Sequence, residues 1–189
     1  MIPYEFNAER FSRWMAYVLR HNPSRYGLSP DSHGYVDFAA FLAIARQRYP
    51  DLTSEQLRDL IHSQGSAERF EVTDTQLRAR YGHSIPVSPS TQPVEPPARL
   101  YYGMDAIRVS FILKEGLKPS ERQMLHLSEY AEDAWAIIQK KTNQPALLAI
   151  DAKRAHAEGL AFYREGKVYL AGPIAPGYLS IAPQPASRR

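Results

Sequence analysis

The chain contains no cysteine. Disulfides and thiolate metal ligands are therefore excluded, and nothing points to an oxidising compartment or a metal centre. Uninterrupted apolar runs of membrane-spanning length are also missing, and the opening Met1-Ile2-Pro3-Tyr4-Glu5-Phe6 has neither the basic nor the apolar segment of a secretion signal. A cytoplasmic protein without membrane association is expected. Lysine is absent from residues 1–86, where ten arginines meet ten acidic residues, and the net charge over 189 residues is only +3. A broad basic surface is thereby excluded as the basis for binding a polyanion. Any such site in this half must be a focused arginine cluster, and the planar guanidinium fork suits a phosphate through two parallel hydrogen bonds.

What is present begins with an amphipathic stripe. Phe11, Trp14, Met15, Val18 and Leu19 fall at helical spacing, and Pro23 disfavours helical geometry at Asn22 and ends the run. Arg20 is placed roughly opposite that stripe and His21 near its edge, at a helix end where cations also complement the dipole. Asp37 is an N-cap for a second helix carrying Phe38, Phe41, Leu42, Ala45 and Tyr49, which Pro50 ends. Thr53 with Gln56 forms a capping box for a third helix that stops near Gly65. Two alternating runs follow, 69–73 and 77–81, joined by a polar turn at 74–76. Three helices and then a hairpin is winged-helix order.

Five prolines lie between Pro86 and Pro97 among polar residues, which predicts an extended linker. Beyond it, short strands alternate with helices. Strands are expected at 100–102, 125–127, 146–150, 161–163, 168–170 and 178–181. One helix is expected over 105–115, closed by Gly116, and another capped by Ser128 and carrying Ala131, Ala134, Trp135 and Ile138. The predicted class is α+β: a winged-helix domain over 1–85, a linker over 86–98, a small α+β domain over 99–183 and a tail over 184–189.

Four polar clusters stand out: Arg20-His21; Arg69 before Phe70; Arg78-Ala79-Arg80-Tyr81-Gly82-His83-Ser84; and Arg122 ahead of Leu125-His126-Leu127-Ser128. Each alone is compatible with a surface charge or a satisfied core histidine. Their order and spacing, with Gly34-Tyr35-Val36-Asp37, Leu100-Tyr101, Gly103 and Gly116-Leu117, resemble the RNA 2′-phosphotransferase family, whose members remove the splice-junction 2′-phosphate from tRNA using NAD. The resemblance runs from about Phe11 to Ile181. It implies an N-terminal winged helix joined to an ADP-ribosyltransferase-like domain.

By that resemblance Arg20, His21, Arg69 and Arg122 are the catalytic set. Arg20, His21 and Arg69 would grip the 2′-phosphate, with Arg122 completing the clamp from the NAD side. Tyr102, Gly103, His126, Leu127 and Ser128 would bind NAD, and Arg78, His83 and Ser84 the RNA. The implied chemistry is attack of the 2′-phosphate on the nicotinamide ribose, giving an ADP-ribosylated RNA. The ribose 2″-hydroxyl then attacks phosphorus, leaving RNA with a 2′-hydroxyl and ADP-ribose 1″,2″-cyclic phosphate. Guanidinium groups suit both steps, since one needs a held phosphate and the other charge stabilised on phosphoryl oxygens. His21 has a side chain suited to moving a proton in the second step. One departure stands out: where the family reads His-Gly-Thr, this chain has Tyr102-Gly103-Met104, so a longer hydroxyl replaces an imidazole and a thioether replaces a hydroxyl. Two alternatives remain at this point: an ADP-ribosyltransferase capping terminal phosphates of RNA or DNA, and a non-catalytic winged-helix nucleic-acid-binding protein.

Overall fold

Asn7 opens the first helix, α1 (Ala8–His21), by accepting a hydrogen bond from the Arg10 N–H in the computed structural model, which describes residues 7–63 and 66–185. The stripe read from the sequence is the buried face: Phe11, Met15, Val18 and Leu19 are at most 2% exposed, and Ser12 and Ala16 join them. Trp14 lies at the margin, half-buried, with its ring 5.7 Å from that of Phe41. After Pro23 the chain makes a single tight turn, and Gly27, at φ +72°, supplies the left-handed residue that closes it.

A two-residue strand, β1 (Val36–Asp37), leads into α2 (Phe38–Arg48), and Asp37 caps that helix by accepting from the Ala40 N–H. The capping box at α3 (Ser54–His62) forms as expected, with Thr53 and Gln56 exchanging side-chain-to-backbone bonds. This helix ends at His62, short of the stop expected near Gly65, a residue outside the described ones. Strands β2 (Phe70–Val72) and β3 (Gln76–Ala79) form the hairpin, and β1 pairs with the other side of β3 to give the order β1-β3-β2. One core joins Phe11, Met15 and Leu19 to Phe41 of α2, Leu57 and Ile61 of α3, and Phe70 and Leu77 of the hairpin. Burying each such side chain stabilises by about 2 kcal/mol.

The chain divides into two compact units, residues 1–90 and 91–189. The proline-rich stretch is without helix or strand, yet it is anchored at both ends. The Ser88 N–H donates to the Ser32 carbonyl in the first unit, and the Val94 N–H to the Phe162 carbonyl in the second.

The second unit is a six-stranded antiparallel sheet in the order β7-β8-β5-β4-β6-β9. Its strands are β4 (Arg99–Asp105), β5 (Leu125–Ser128), β6 (Pro145–Asp151), β7 (Phe162–Glu165), β8 (Val168–Ala171) and β9 (Leu179–Ala182). Two expectations are corrected here, and one unforeseen helix appears. The helix expected over 105–115 is divided, because Asp105 caps a short 3-10 turn (Ala106–Arg108) before α4 (Val109–Glu115) begins. Ser128 does not cap the next helix. It is the last residue of β5, paired with Val168, and α5 (Ala131–Ile138) starts after Tyr130 without a side-chain cap. A further short helix, α6 (Ala152–Ala157), is started by Asp151, whose carboxylate accepts from the Arg154 N–H.

Of the expected tail, residues 186–189 lie outside the described residues. The architecture is α+β, and no described helix is long and apolar enough to cross a membrane.

Candidate functional site

In the first unit the site grows from the C-terminal end of α1. Last-turn carbonyls have no partner within a helix, and the carbonyl of Arg20 is met by the N–H of Ser84 at 3.0 Å. The segment after β3 therefore returns to the helix end. There the Ser84 hydroxyl lies 2.9 Å from Nδ1 of His21, which fixes the imidazole's orientation. His21 is exposed, with the Tyr17 ring 6.3 Å away.

Arg20 does not stand out from the helix as its place on the wheel suggests. It is half-buried, with Cζ 5.1 Å from the Tyr81 ring centroid and 6.0 Å from that of Phe70, and its Nε and Nη2 are shielded. Gly82 is what permits this. At φ +90° it has a backbone that other residues rarely adopt, and a β-carbon there would come within 3.3 Å of Cδ and Nη1 of Arg20.

Arg69 reaches the same ring from the start of β2, its Cζ 5.5 Å from the Phe70 centroid, and donates from Nη1 to the Ser12 hydroxyl at 3.0 Å. Among the described residues no carboxylate lies at ion-pair distance from Arg69. Two guanidinium groups thus flank one buried phenyl ring, beside an oriented imidazole.

Arg78 differs from both. It is 3% exposed, and both Nε and Nη2 donate to Oε2 of Glu71, at 3.0 and 2.6 Å, while its Cζ lies 4.8 Å from the Tyr35 ring. Arg80 adds a second contact to the same oxygen at 3.4 Å. Burial pushes the Glu71 carboxyl up, but the hydrogen bond and charge of Arg78, with Arg80, outweigh it and hold the group below its ordinary value. This occupation is structural, in contrast to the open donor expected of an RNA-binding arginine.

His83 is 6% exposed, and a β-carbon on Gly34 would lie 3.1 Å from its Nε2. Among the described residues that nitrogen has no hydrogen-bond partner. Burial, then the charges of Arg20, Arg78 and His21, lower its pKa to about 4, so the ring is neutral at working pH. It packs against Gly34, in the segment after β3.

In the second unit, β4 lies along β6 for its whole length but among the described residues is matched to β5 at the single pair Tyr101 and Ser128. Strand alternation then puts Tyr101, Gly103, His126 and Ser128 on one face, the face that α5 covers, and Tyr102 and Leu127 on the other. Leu127 is fully buried in the core. Gly103 is where α5 crosses the sheet, since a β-carbon there would lie 2.7 Å from the Ala134 carbonyl and from Cβ of Ile138.

Arg122 and His126, members of one cluster in the sequence, are in contact: Nη1 of Arg122 lies 3.1 Å from Nδ1 of His126. A guanidinium only donates, so Nδ1 accepts and the imidazole proton sits on Nε2. As with Arg69, no carboxylate among the described residues pairs with Arg122. Among the described residues there is no group of acidic, histidine and cysteine side chains that could hold a metal ion.

Two contributors went unread in the sequence. Ser12 sat unremarked beside Phe11 in the apolar stripe, where a hydroxyl is out of place. Glu71 faces Arg78 across the hairpin, and its role follows only from that register.

The family described as RNA 2′-phosphotransferase, Tpt1/KptA family, matches residues 7–171. A protein of Thermococcus kodakarensis named "Probable RNA 2′-phosphotransferase" is 34% identical over 92% of this chain and 97% of its own length. Proteins of the same name from Pyrococcus abyssi and Agrobacterium fabrum are each 36% identical, over 84% and 90% of this chain and 86% and 92% of their own. With a family match across most of its length, and with relatives that it covers nearly end to end, this chain belongs to the RNA 2′-phosphotransferase family.

Proposed function

We propose that the protein is an NAD-dependent RNA 2′-phosphotransferase, built from a winged-helix unit and an ADP-ribosyltransferase-like unit. The observation that carries the reading is the gathering of Arg20, His21 and Arg69 around the end of α1 and the Phe70 ring. The charge of Arg78, by contrast, is taken up by Glu71. An arginine seated on a ring and a hydroxyl keeps its charge for an anion.

The overall reaction is RNA 2′-phosphate plus NAD giving RNA with a 2′-hydroxyl, nicotinamide and ADP-ribose 1″,2″-cyclic phosphate. NAD supplies an electrophilic ribose carbon with nicotinamide as leaving group, and the hydroxyl beside it. Arg20 and Arg69 hold the dianionic phosphate and spread the charge that develops on its oxygens. As the bond from phosphorus to the RNA 2′-oxygen breaks and the one to the ribose 2″-oxygen forms, one proton passes between those oxygens. His21, oriented by Ser84, carries it. Arg122 is the fourth member of the catalytic set, a guanidinium suited to neutralising phosphoryl charge.

The donor set of that unit suits a dinucleotide. Arg122 complements phosphate, while His126 Nε2–H and the Ser128 hydroxyl complement ribose; Tyr102, on the opposite face of the sheet, is not part of that set. Gly103 and Leu127 support this set through the sheet. Arg78 and His83 likewise support the RNA-facing groups from behind, and Ser84 touches them directly.

The test is incubation with NAD and a short RNA carrying one internal 2′-phosphate. Expected products are the dephosphorylated RNA and the cyclic phosphate in equal amounts. Modification of terminal phosphates alone would replace this reading with the capping reaction, and binding of RNA without turnover of NAD would replace it with a non-catalytic nucleic-acid-binding role.

A further inference from the structure

We propose that Ser12 is a positioning residue that fastens the Arg69 guanidinium to α1, so that Arg20, His21 and Arg69 share one helix as their frame. This rests on the 2′-phosphotransferase reading and deepens it.

Position 12 lies on the core face of α1, beside Phe11 and Met15, and is 8% exposed. Alanine there would be the better helix former and would bury no polar atom. A serine at such a place needs a hydrogen-bond partner. The partner is Nη1 of Arg69, 3.0 Å from the hydroxyl oxygen. Because the guanidinium only donates, the serine accepts, and its own proton is turned towards a second acceptor. The hydroxyl of Ser66 lies 3.4 Å away.

Two contacts then fix Arg69. The Phe70 ring sets one side of the guanidinium at 5.5 Å, and Ser12 holds one edge. Ser12 also stands eight residues before Arg20 on the same helix, about two turns. The tether therefore ties the arginine that precedes β2 to the same helix that carries the other two groups. A guanidinium held before the phosphate arrives loses less side-chain freedom on binding and meets the anion in the productive orientation. Ser12 itself is sealed in the core and acts only through Arg69.

The experiment uses the full chain as wild type, Ser12→Ala, Ser12→Thr, Arg69→Ala and the double variant Ser12→Ala/Arg69→Ala. Steady-state kinetics on the 2′-phosphorylated RNA, thermal unfolding and the side-chain 15N–1H signals of Arg69 are read. Ser12→Ala is expected to raise KM for RNA about tenfold, the lower range for losing an orienting partner, with KM for NAD unchanged and the melting temperature equal or higher. Ser12→Thr, which keeps the hydroxyl, recovers most of the loss, and Ser12→Ala adds nothing once Arg69 is gone. A wild-type KM for RNA in Ser12→Ala overturns the proposal. So does an equal loss in the Arg69→Ala background, or a fall in melting temperature that tracks the activity. The Arg69 signals separate this from the parent reading. Slowed rotation about Cζ–Nη in the wild type and averaging in Ser12→Ala report the tether even where no RNA reacts. Averaging already in the wild type overturns it even where the RNA is turned over.

Discussion

Arg69, just before β2, and Arg78, on β3 of the same hairpin, are employed in opposite ways. Arg78 is buried and doubly bonded to Glu71, and a ring covers it. Arg69 is half-buried and rests on a phenyl ring and a hydroxyl, with no carboxylate at ion-pair distance among the described residues. Neutralising a charge internally stabilises a hairpin but leaves nothing to offer a ligand. Leaving it uncompensated forgoes that stability and creates an attraction for an anion. Position on the strand does not separate the two roles; the partner does.

Exchanging the roles by mutation is the most severe way to break this contrast. Arg69→Ala is expected to lower turnover of 2′-phosphorylated RNA about 100- to 1,000-fold, as for loss of one transition-state donor. Unfolding free energy should stay within about 1 kcal/mol. Calorimetry should find NAD binding intact, and its loss would overturn the division of labour between the units.

Glu71→Ala should do the reverse. Removing the partner of a buried guanidinium costs about 3 kcal/mol, read by urea unfolding, with any loss of activity following from the loosened hairpin. Because the folded Glu71 pKa is held below its ordinary value, the pair's contribution is complete above that ordinary value and is lost as pH falls through the depressed one. An acid limb present in the wild type and absent in Glu71→Gln checks the sign.

His83 sharpens the comparison from the side of a neutral group among cations. Its folded pKa of about 4 lies below the ordinary 6.5. Below pH 6.5 the unfolded chain takes up the proton first, so stability should fall between pH 6.5 and 4 and level off below. The fall is at most about 3 kcal/mol. His83→Gln should flatten that slope. Smallest is Gly82→Ala, which forces a side chain into a left-handed backbone against Arg20. It should cost about 1–2 kcal/mol and reduce turnover by displacing Arg20, while Gly27→Ala, with open space around it, should cost only the backbone strain.

Much of this was legible beforehand. The end of α1 before Pro23, the Asp37 cap and the Thr53–Gln56 box were read correctly because each depends on residues within one turn of each other. Ser128 was misread because its local pattern suits a cap, while pairing with Tyr101 and Val168 keeps it in the sheet. The helix α6 carries a cap signal at Asp151 but is only six residues long, too short to give a periodic pattern. Arg20 was placed outward because a helical wheel knows nothing of Tyr81 and Gly82, more than sixty residues away.

By itself the sequence determined the helix boundaries of the first unit, the choice of arginine over lysine as its cation and the family to which the chain belongs, since these are written in neighbouring residues and in motif order. Only the tertiary structure decided which arginine a carboxylate neutralises and which rests on a ring and a hydroxyl. That choice depends on Ser12 meeting Arg69, Glu71 meeting Arg78 and Ser84 meeting His21, contacts between side chains brought together by hairpin register and core packing.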